Sequence, residues 1–422
     1  MSSLPEGWVE TSLGEVIGFV VDNRGKTPPL SEGKEYELLE VNAVGERSRE
    51  PDYSKVGKFV DKNTFDTWFR KGTVKQGDVL IPTVGTIGNT AYSKQERGAI
   101  AQNLIALRAN ENTVPMFLYY FMSNPATKRM LLKLDIGGVQ PSIKVPHLLG
   151  MQVTFPLKDE QKAIADMLSS FDEKIELLRE QNKILETLAQ TIFKEWFVNF
   201  NYPDATGEMV DSELGEIPKG WRVYELSELV DTVNGYSYKG VELVESSNEA
   251  LVTLKSFNRN GGFQTRGFKP FSGTPKPQQQ VLIGDLIVAH TDLTQDAEVL
   301  GNPAFVFENG GFEKMFITMD LVKVNSKVEC IDNAFLYYVM KDRCFKGHCV
   351  GYSNGTTVLH MSKKAIPEYK LALPDDLRLA KDFSYIAHTL TAKISSNIKH
   401  LQNLEETRDV LLPQLMNGKI RV

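Results

Sequence analysis

Cysteine is scarce: Cys330, Cys344 and Cys349 are the only three in 422 residues. They are too few and too clustered for a disulfide scaffold, so reduced thiols are expected. No stretch approaches the 18 or so unbroken apolar residues that a membrane span needs, and the opening Met1-Ser2-Ser3-Leu4-Pro5-Glu6 lacks a basic region followed by an apolar one. These absences predict a soluble, cytoplasmic protein with no membrane partner. An excess of positive charge is missing too. Lys and Arg number 48 against 54 Asp and Glu, a net charge of −6, which argues against wholesale nucleic-acid binding. The acidity is local: residues 159–217 carry five basic and fourteen acidic side chains, whereas residues 1–158 carry nineteen and seventeen. Local stripes of Lys and Arg, or a partner's charge, can still meet phosphates from such near-neutral regions.

A convincing catalytic constellation is also absent. Gly25-Lys26-Thr27 ends like a nucleotide-binding loop, but six residues separate Gly18 from Gly25 where that loop needs four. Asn302-Pro303-Ala304-Phe305 approaches the adenine clamp of amino-methyltransferases, yet its third position is Ala and no Gly-rich turn for a methyl donor precedes it, so a plain loop turn is expected. Cys344, His348, Cys349 and His360 do not have the spacing of a zinc knuckle. None of the six histidines lies beside a Ser or Cys nucleophile with an orienting carboxylate. No metal and no catalytic residue is therefore assigned.

What is present is average globular composition, 41% apolar and 24% charged, in a chain long enough for about two to three domains. The chain repeats itself once. Leu4-Pro5-Glu6-Gly7-Trp8 returns as Ile217-Pro218-Lys219-Gly220-Trp221, and Gly77-Asp78-Val79-Leu80-Ile81 as Gly284-Asp285-Leu286-Ile287-Val288. Phe117-Leu118-Tyr119-Tyr120-Phe121-Met122 returns as Phe335-Leu336-Tyr337-Tyr338-Val339-Met340, and Pro156 as Pro374. A period above 200 residues excludes a solenoid and means two copies of one domain plan.

Each copy opens with short apolar runs broken by Gly, Pro, Asn and Asp, which predict strands and turns. A short helix is predicted at 114–123 and again at 333–341. Glycine then disappears and apolar residues take helical spacing. Ile175, Leu178, Asn182, Leu185, Ala189, Ile192 and Trp196 form one heptad-like stripe, widened by Leu188; Ile394, Ile398, Leu401, Leu404, Arg408, Leu411 and Leu415 form another. Such a stripe on one helix usually packs on its own domain. Two in matching positions, each with one polar residue in the seam, predict packing on each other, with each rod about 60 Å long at 1.5 Å per residue.

Between the repeated landmarks the loops differ. Copy one offers residues 22–27 with Arg24 and Lys26, residues 82–89 with Thr83, Thr86 and Asn89, and residues 137–144 with Gln140, Ser142 and Lys144. Copy two offers Tyr236, Tyr238 and Lys239, then Asn258 and Arg259, then His290 and Thr291, and finally Asn354, Thr356 and Thr357. These side chains suit base edges and phosphates, and nearby glycines let the backbone approach. A repeated framework with unlike loops predicts two heads that read different ligands.

The whole chain resembles the specificity subunits of type I restriction-modification enzymes. The resemblance rests on Leu4-Pro5-Glu6-Gly7-Trp8, on Pro156 with Asp159-Glu160-Gln161-Lys162-Ala163-Ile164-Ala165, and on Thr191-Ile192-Phe193-Lys194-Glu195-Trp196-Phe197-Val198-Asn199-Phe200. It extends through Glu213-Leu214-Gly215-Glu216-Ile217-Pro218-Lys219-Gly220-Trp221 and the closing Leu411-Leu412-Pro413-Gln414-Leu415-Met416-Asn417-Gly418-Lys419-Ile420-Arg421-Val422. Pro374-Asp375-Asp376-Leu377-Arg378 departs from the Glu-Gln helix start seen in copy one.

The resemblance implies an α+β fold: two mixed α/β target-recognition domains joined by two long helices in an antiparallel coiled coil. The expected division is 1–157 for the first domain, 158–200 for the first helix, 201–216 for a linker, 217–374 for the second domain, 375–417 for the second helix and 418–422 for a tail. It implies a non-catalytic subunit that reads a bipartite site in double-stranded DNA. Ile175, Leu178, Leu185, Ile192, Ile394, Leu401, Leu404 and Leu411 are expected to pack the helices and dock partners. Modification subunits would supply methylation with S-adenosylmethionine, and a restriction subunit ATP- and Mg-dependent translocation and cleavage. The rival reading is a dumbbell-shaped adaptor that binds only proteins.

Overall fold

In the computed structural model, residues 4–46, 49–135, 137, 140–257 and 262–422 are described. The chain divides into two compact units, one of Met1–Leu177 with Leu401–Val422, the other of Leu178–His400. Two helices dominate the secondary structure, Lys158–Phe197 and Arg378–Met416. Each unit contains a half of both, running antiparallel, so neither helix belongs to one unit alone.

The first unit begins with Trp8–Ser12 paired antiparallel to Gln152–Pro156, Trp8 facing Pro156. Gly7 turns the chain into this strand at φ +78, a left-handed conformation that favours glycine. A four-stranded antiparallel sheet follows in the order Ile17–Val21, Leu104–Ala109, Val79–Pro82, Ala91–Tyr92. The continuous apolar run Val79–Pro82 is buried throughout, as expected of a central strand. A smaller sheet places Tyr36–Leu39 between Phe59–Val60 and a parallel neighbour, Ala99–Ile100. Pro115–Ser123 is helical, with Pro at its first turn where no amide partner is lost. Its Phe117 and Tyr120 share a core with Trp8, Phe155, Ile164, Leu168, Leu412, Leu415 and Met416.

The second unit repeats the plan. Trp221–Glu225 pairs with Lys370–Pro374, Trp221 facing Pro374, and Gly220 has φ +83. Its main sheet runs Val230–Asn234, Leu321–Ser326, Leu286–Ala289, Pro303–Phe305, the same order as in the first unit. The smaller sheet again has one parallel pair, Glu249–Val252 with Lys314–Ile317. Asn333–Lys341 is helical, capped where Asp332 accepts the Phe335 amide at 2.9 Å. Phe335, Tyr338, Phe193, Phe197, Trp221 and Phe383 belong to one core cluster.

Several expectations change. Pro303 enters an edge strand instead of a loop turn. Pro125–Lys133 and Arg343–Gly351 are further helices in stretches read as strand and turn, started by the caps Asn124 and Asp342. The second long helix begins at Arg378 after Leu377 takes φ +53, with Asp376 accepting the Arg378 amide at 3.0 Å. That single left-handed residue absorbs one extra position and accounts for the changed helix start. Leu188 is 46% exposed and does not widen the seam, because it precedes the buried Ala189 and points about 100° away from it.

The seam polar residues both have partners. Asn397 donates its amide to Asn182 Oδ1 at 2.8 Å, and Arg408 donates to Asp172 at 2.8 Å. Ile175, Leu178 and Ile394 are buried; Leu185, Ile192, Leu401, Leu404 and Leu411 are half-buried.

Candidate nucleic-acid interface

In the first unit, residues 22–27, 83–89 and 140–144 meet at one end of the main sheet. Arg24 forks onto Asp22 at 2.7 and 2.8 Å and donates to Thr83 Oγ1 at 3.3 Å. The Arg24 hydrogen bond holds the Asp22 carboxyl below its usual range. Asn23, which sequence reasoning did not select, is the anchor: its amide donates to Gly72 O at 2.9 Å and its oxygen accepts the Lys71 amide at 3.1 Å. Thr27 accepts from Gln102 at 2.6 Å. No signal in the sequence separates Asn23 from the other polar residues of this loop.

Thr83 is buried and therefore positions Arg24 instead of presenting its own hydroxyl. Asn89 donates to Val44 O at 3.2 Å, while Lys26, Thr86, Gln140 and Lys144 are exposed and Ser142 is half-buried. The Ser142 amide donates to Asp135 at 2.8 Å.

In the second unit, Tyr236 donates to Glu242 at 2.7 Å, and its backbone amide bonds to Ile317 O. Gly235 allows this approach: a Cβ there would lie 2.0 Å from Thr318 O. Lys269 lies over the Tyr238 ring, 5.8 Å from its centroid, and Lys239 is exposed. Thr291 is buried and donates to Asp320 at 3.0 Å, so it too is a positioning residue. Thr291–Asp292, Leu359–Met361 and Ser353–Asn354 form a three-stranded sheet that brings Thr291 opposite His360 and Asn354 beside it. Asn354, Thr356 and Thr357 are exposed. Asn258 and Arg259 lie outside the described residues.

The two loop sets are built on the same crossing. The Thr83 amide donates to Asn103 O at 2.7 Å and Thr83 O accepts from the Ile143 amide at 2.9 Å. The His290 amide donates to Asp320 O at 2.7 Å and His290 O accepts from the Met361 amide at 2.9 Å. One backbone clamp thus presents threonine in one unit and histidine in the other. Burial holds the His290 imidazole below its usual pKa, with the charges of His360 and Lys363 acting in the same direction.

Among the described residues no group of three His, Cys, Asp or Glu side chains could hold a metal ion. His348 Nε2 is 2.9 Å from Ala365 O, and burial pushes the Cys349 thiol up to about 12. Among the described residues no helix is long and apolar enough to cross a membrane.

Residues 5–187 match the family described as the type I restriction modification DNA specificity domain. The MjaIX specificity subunit of a type I restriction enzyme from Methanocaldococcus jannaschii is 26% identical over 359 residues, 82% of this chain and 78% of that protein. The MjaVIII specificity subunit from the same organism is 24% identical over 99% of this chain and 94% of its own length. The crystal structure of a type I restriction-modification S subunit from M. genitalium superposes with a TM-score of 0.62 over 98% of this chain and 97% of that one, at 16% identity, and so shares its fold.

Proposed function

We propose that the chain is a specificity subunit of a type I restriction-modification system, the family it is similar to, and that its two units each read one half of a bipartite site in double-stranded DNA. Arg24, Lys26, Thr86, Gln140 and Lys144 face one half-site; Tyr238, Lys239, His290, Asn354, Thr356 and Thr357 face the other. The long helices set the spacer and dock the modification subunits. S-adenosylmethionine, ATP and magnesium act in those partners and in a restriction subunit, and this chain contributes recognition without catalysis, in the cytoplasm.

The observation that carries this reading is the shared backbone clamp at Thr83 and His290 with unlike side chains around it. A common frame with different donors and acceptors is what reading two unlike half-sites requires, since base edges are discriminated by hydrogen-bond pattern. The test is a chimaera in which residues 1–157 come from a relative and both long helices are kept. Genome-wide methylation in cells that also express the modification subunit should show one half-site changed and the other preserved. Both changing together, or neither, defeats the two-reader proposal.

A further inference from the structure

The duplication exposes a difference that the DNA-reading proposal does not use. The buried positions Ile164, Leu168 and Ile175 on the first long helix correspond to Phe383, Ala387 and Ile394 on the second, each pair 219 positions apart. In the sheets, Tyr92 faces Val79 as Phe305 faces Leu286. These landmarks equate Ser169, Asp172, Glu173 and Glu176 with His388, Thr391, Ala392 and Ser395, and Met116 with Ala334.

In the first unit this place is filled by the chain itself. The Tyr92 amide donates to Arg49 O at 2.7 Å, so residue 49 runs along the outer edge of the strand Ala91–Tyr92. The Arg49 side chain turns inward and is 8% exposed. Its guanidinium reaches Ser169 Oγ at 3.4 Å and Met116 Sδ at 3.5 Å and lies 4.0 Å from Glu176. Lys94 joins Glu50 to Glu176 at 2.6 and 2.9 Å.

In the second unit the corresponding place is a cavity of about 330 Å³, lined by Phe305, Phe307, Ala334, Thr391, Ala392 and Ser395 together with Asp332 and His388. Glu176, the acid beside Arg49, has become Ser395, and the nearby Asp172 and Glu173 have become Thr391 and Ala392. Its mouth is apolar as well: Ile283 and its neighbour Leu282 are 56% and 60% exposed, where the first unit has Lys75 and Gln76. The ladder alternation that turns the Tyr92 amide outward turns the Phe305 amide outward too.

We propose that this cavity is a docking slot for an extended segment of a partner protein, which lies along the strand edge at Phe305 and inserts one apolar side chain. The first unit shows the binding mode, main chain on a sheet edge with a side chain in a pocket, and the lining sets the chemistry. The volume lies at the small end of ligand pockets and suits a single large side chain such as Phe or Leu. An arginine, the occupant in the first unit, finds a single carboxylate here, Asp332, which already accepts the Phe335 amide and lies 3.6 Å from His388.

The experiment uses the full chain and fluorescently labelled nine-residue peptides with Phe or Arg at the centre, read by anisotropy. The Phe peptide is expected to bind at least tenfold tighter than the Arg peptide, and Ala392→Trp, which fills the slot, to weaken it at least tenfold. Thr391→Asp combined with Ser395→Glu restores the acids of the first unit and should reverse the preference, with circular dichroism confirming that each variant is folded. Absence of Phe-peptide binding, binding indifferent to Ala392→Trp, or an unreversed preference in the folded double variant overturns the proposal. So does a slot that takes only small apolar compounds, or one that joins two copies of this chain in light scattering.

Discussion

Arg408 and Asp172 form an ion pair at 2.8 Å, and the same carboxylate accepts the Tyr120 hydroxyl at 2.6 Å, so one buried acid ties the two long helices to the helix Pro115–Ser123. Removing one partner of such a pair strands the other without compensation. Arg408→Leu is expected to destabilise the first unit by about 3 kcal/mol, the low end for a buried pair because the guanidinium is partly solvated. Urea unfolding measures this; an unchanged midpoint would mean that water replaces the arginine at no cost.

A second pair tests hydrogen bonding in the seam. Asn397→Leu alone leaves Asn182 without its donor and should cost about 1 to 3 kcal/mol. Replacing both asparagines by leucine removes both polar groups and should recover most of that loss. A double variant as unstable as the sum of the singles would contradict the pairing.

His290 supplies a pH dependence. Its folded-state pKa lies below the ordinary 6.5, so as pH falls below about 6.5 the unfolded chain takes up the proton first and stability declines. His290→Asn should flatten thermal stability between about pH 5 and 7 relative to the unsubstituted chain. Identical pH profiles for the two proteins would mean that the imidazole ionises alike folded and unfolded.

Helix length is testable through the methylated site. Four residues added to each long helix extend each by about 6 Å, nearly two base pairs at roughly 3.4 Å each. Methylation mapping should find both half-sites intact and the spacer between them lengthened. A spacer that stays the same counts against the helices as its measure.

Much of this framework was legible in the sequence because the duplication printed it twice. Trp8 and Pro156, or Trp221 and Pro374, stand far apart in the chain, yet their recurrence marked them before the strands pairing them were seen. Asn397 was missed because it falls one turn from Ile394, where an apolar residue would continue the stripe, and only the facing Asn182 explains it. The helix Pro125–Lys133 was missed because Asn124-Pro125 reads equally as a turn; its Asn cap and first-turn Pro are helix-starting signals too. Arg24 could be named from loop composition, whereas the burial of Thr83 and Thr291 could not, since a threonine beside glycine looks the same inside a clamp or in water. Arg49 gave no hint of its slot, which is made by residues 67 and more positions further along.

The assignment of residues 401–416 to the first unit has a consequence for biosynthesis. Leu412, Leu415 and Met416 sit in the same core as Trp8 and Phe117, but they leave the ribosome 235 to 239 residues after Leu177. At common translation rates that interval is roughly 12 to 48 s. During it the nascent first unit holds a core open at the place those side chains will close, and is a natural client for chaperones. The second unit has its whole sequence, from Leu178 to His400, in one uninterrupted stretch and can finish folding before the first.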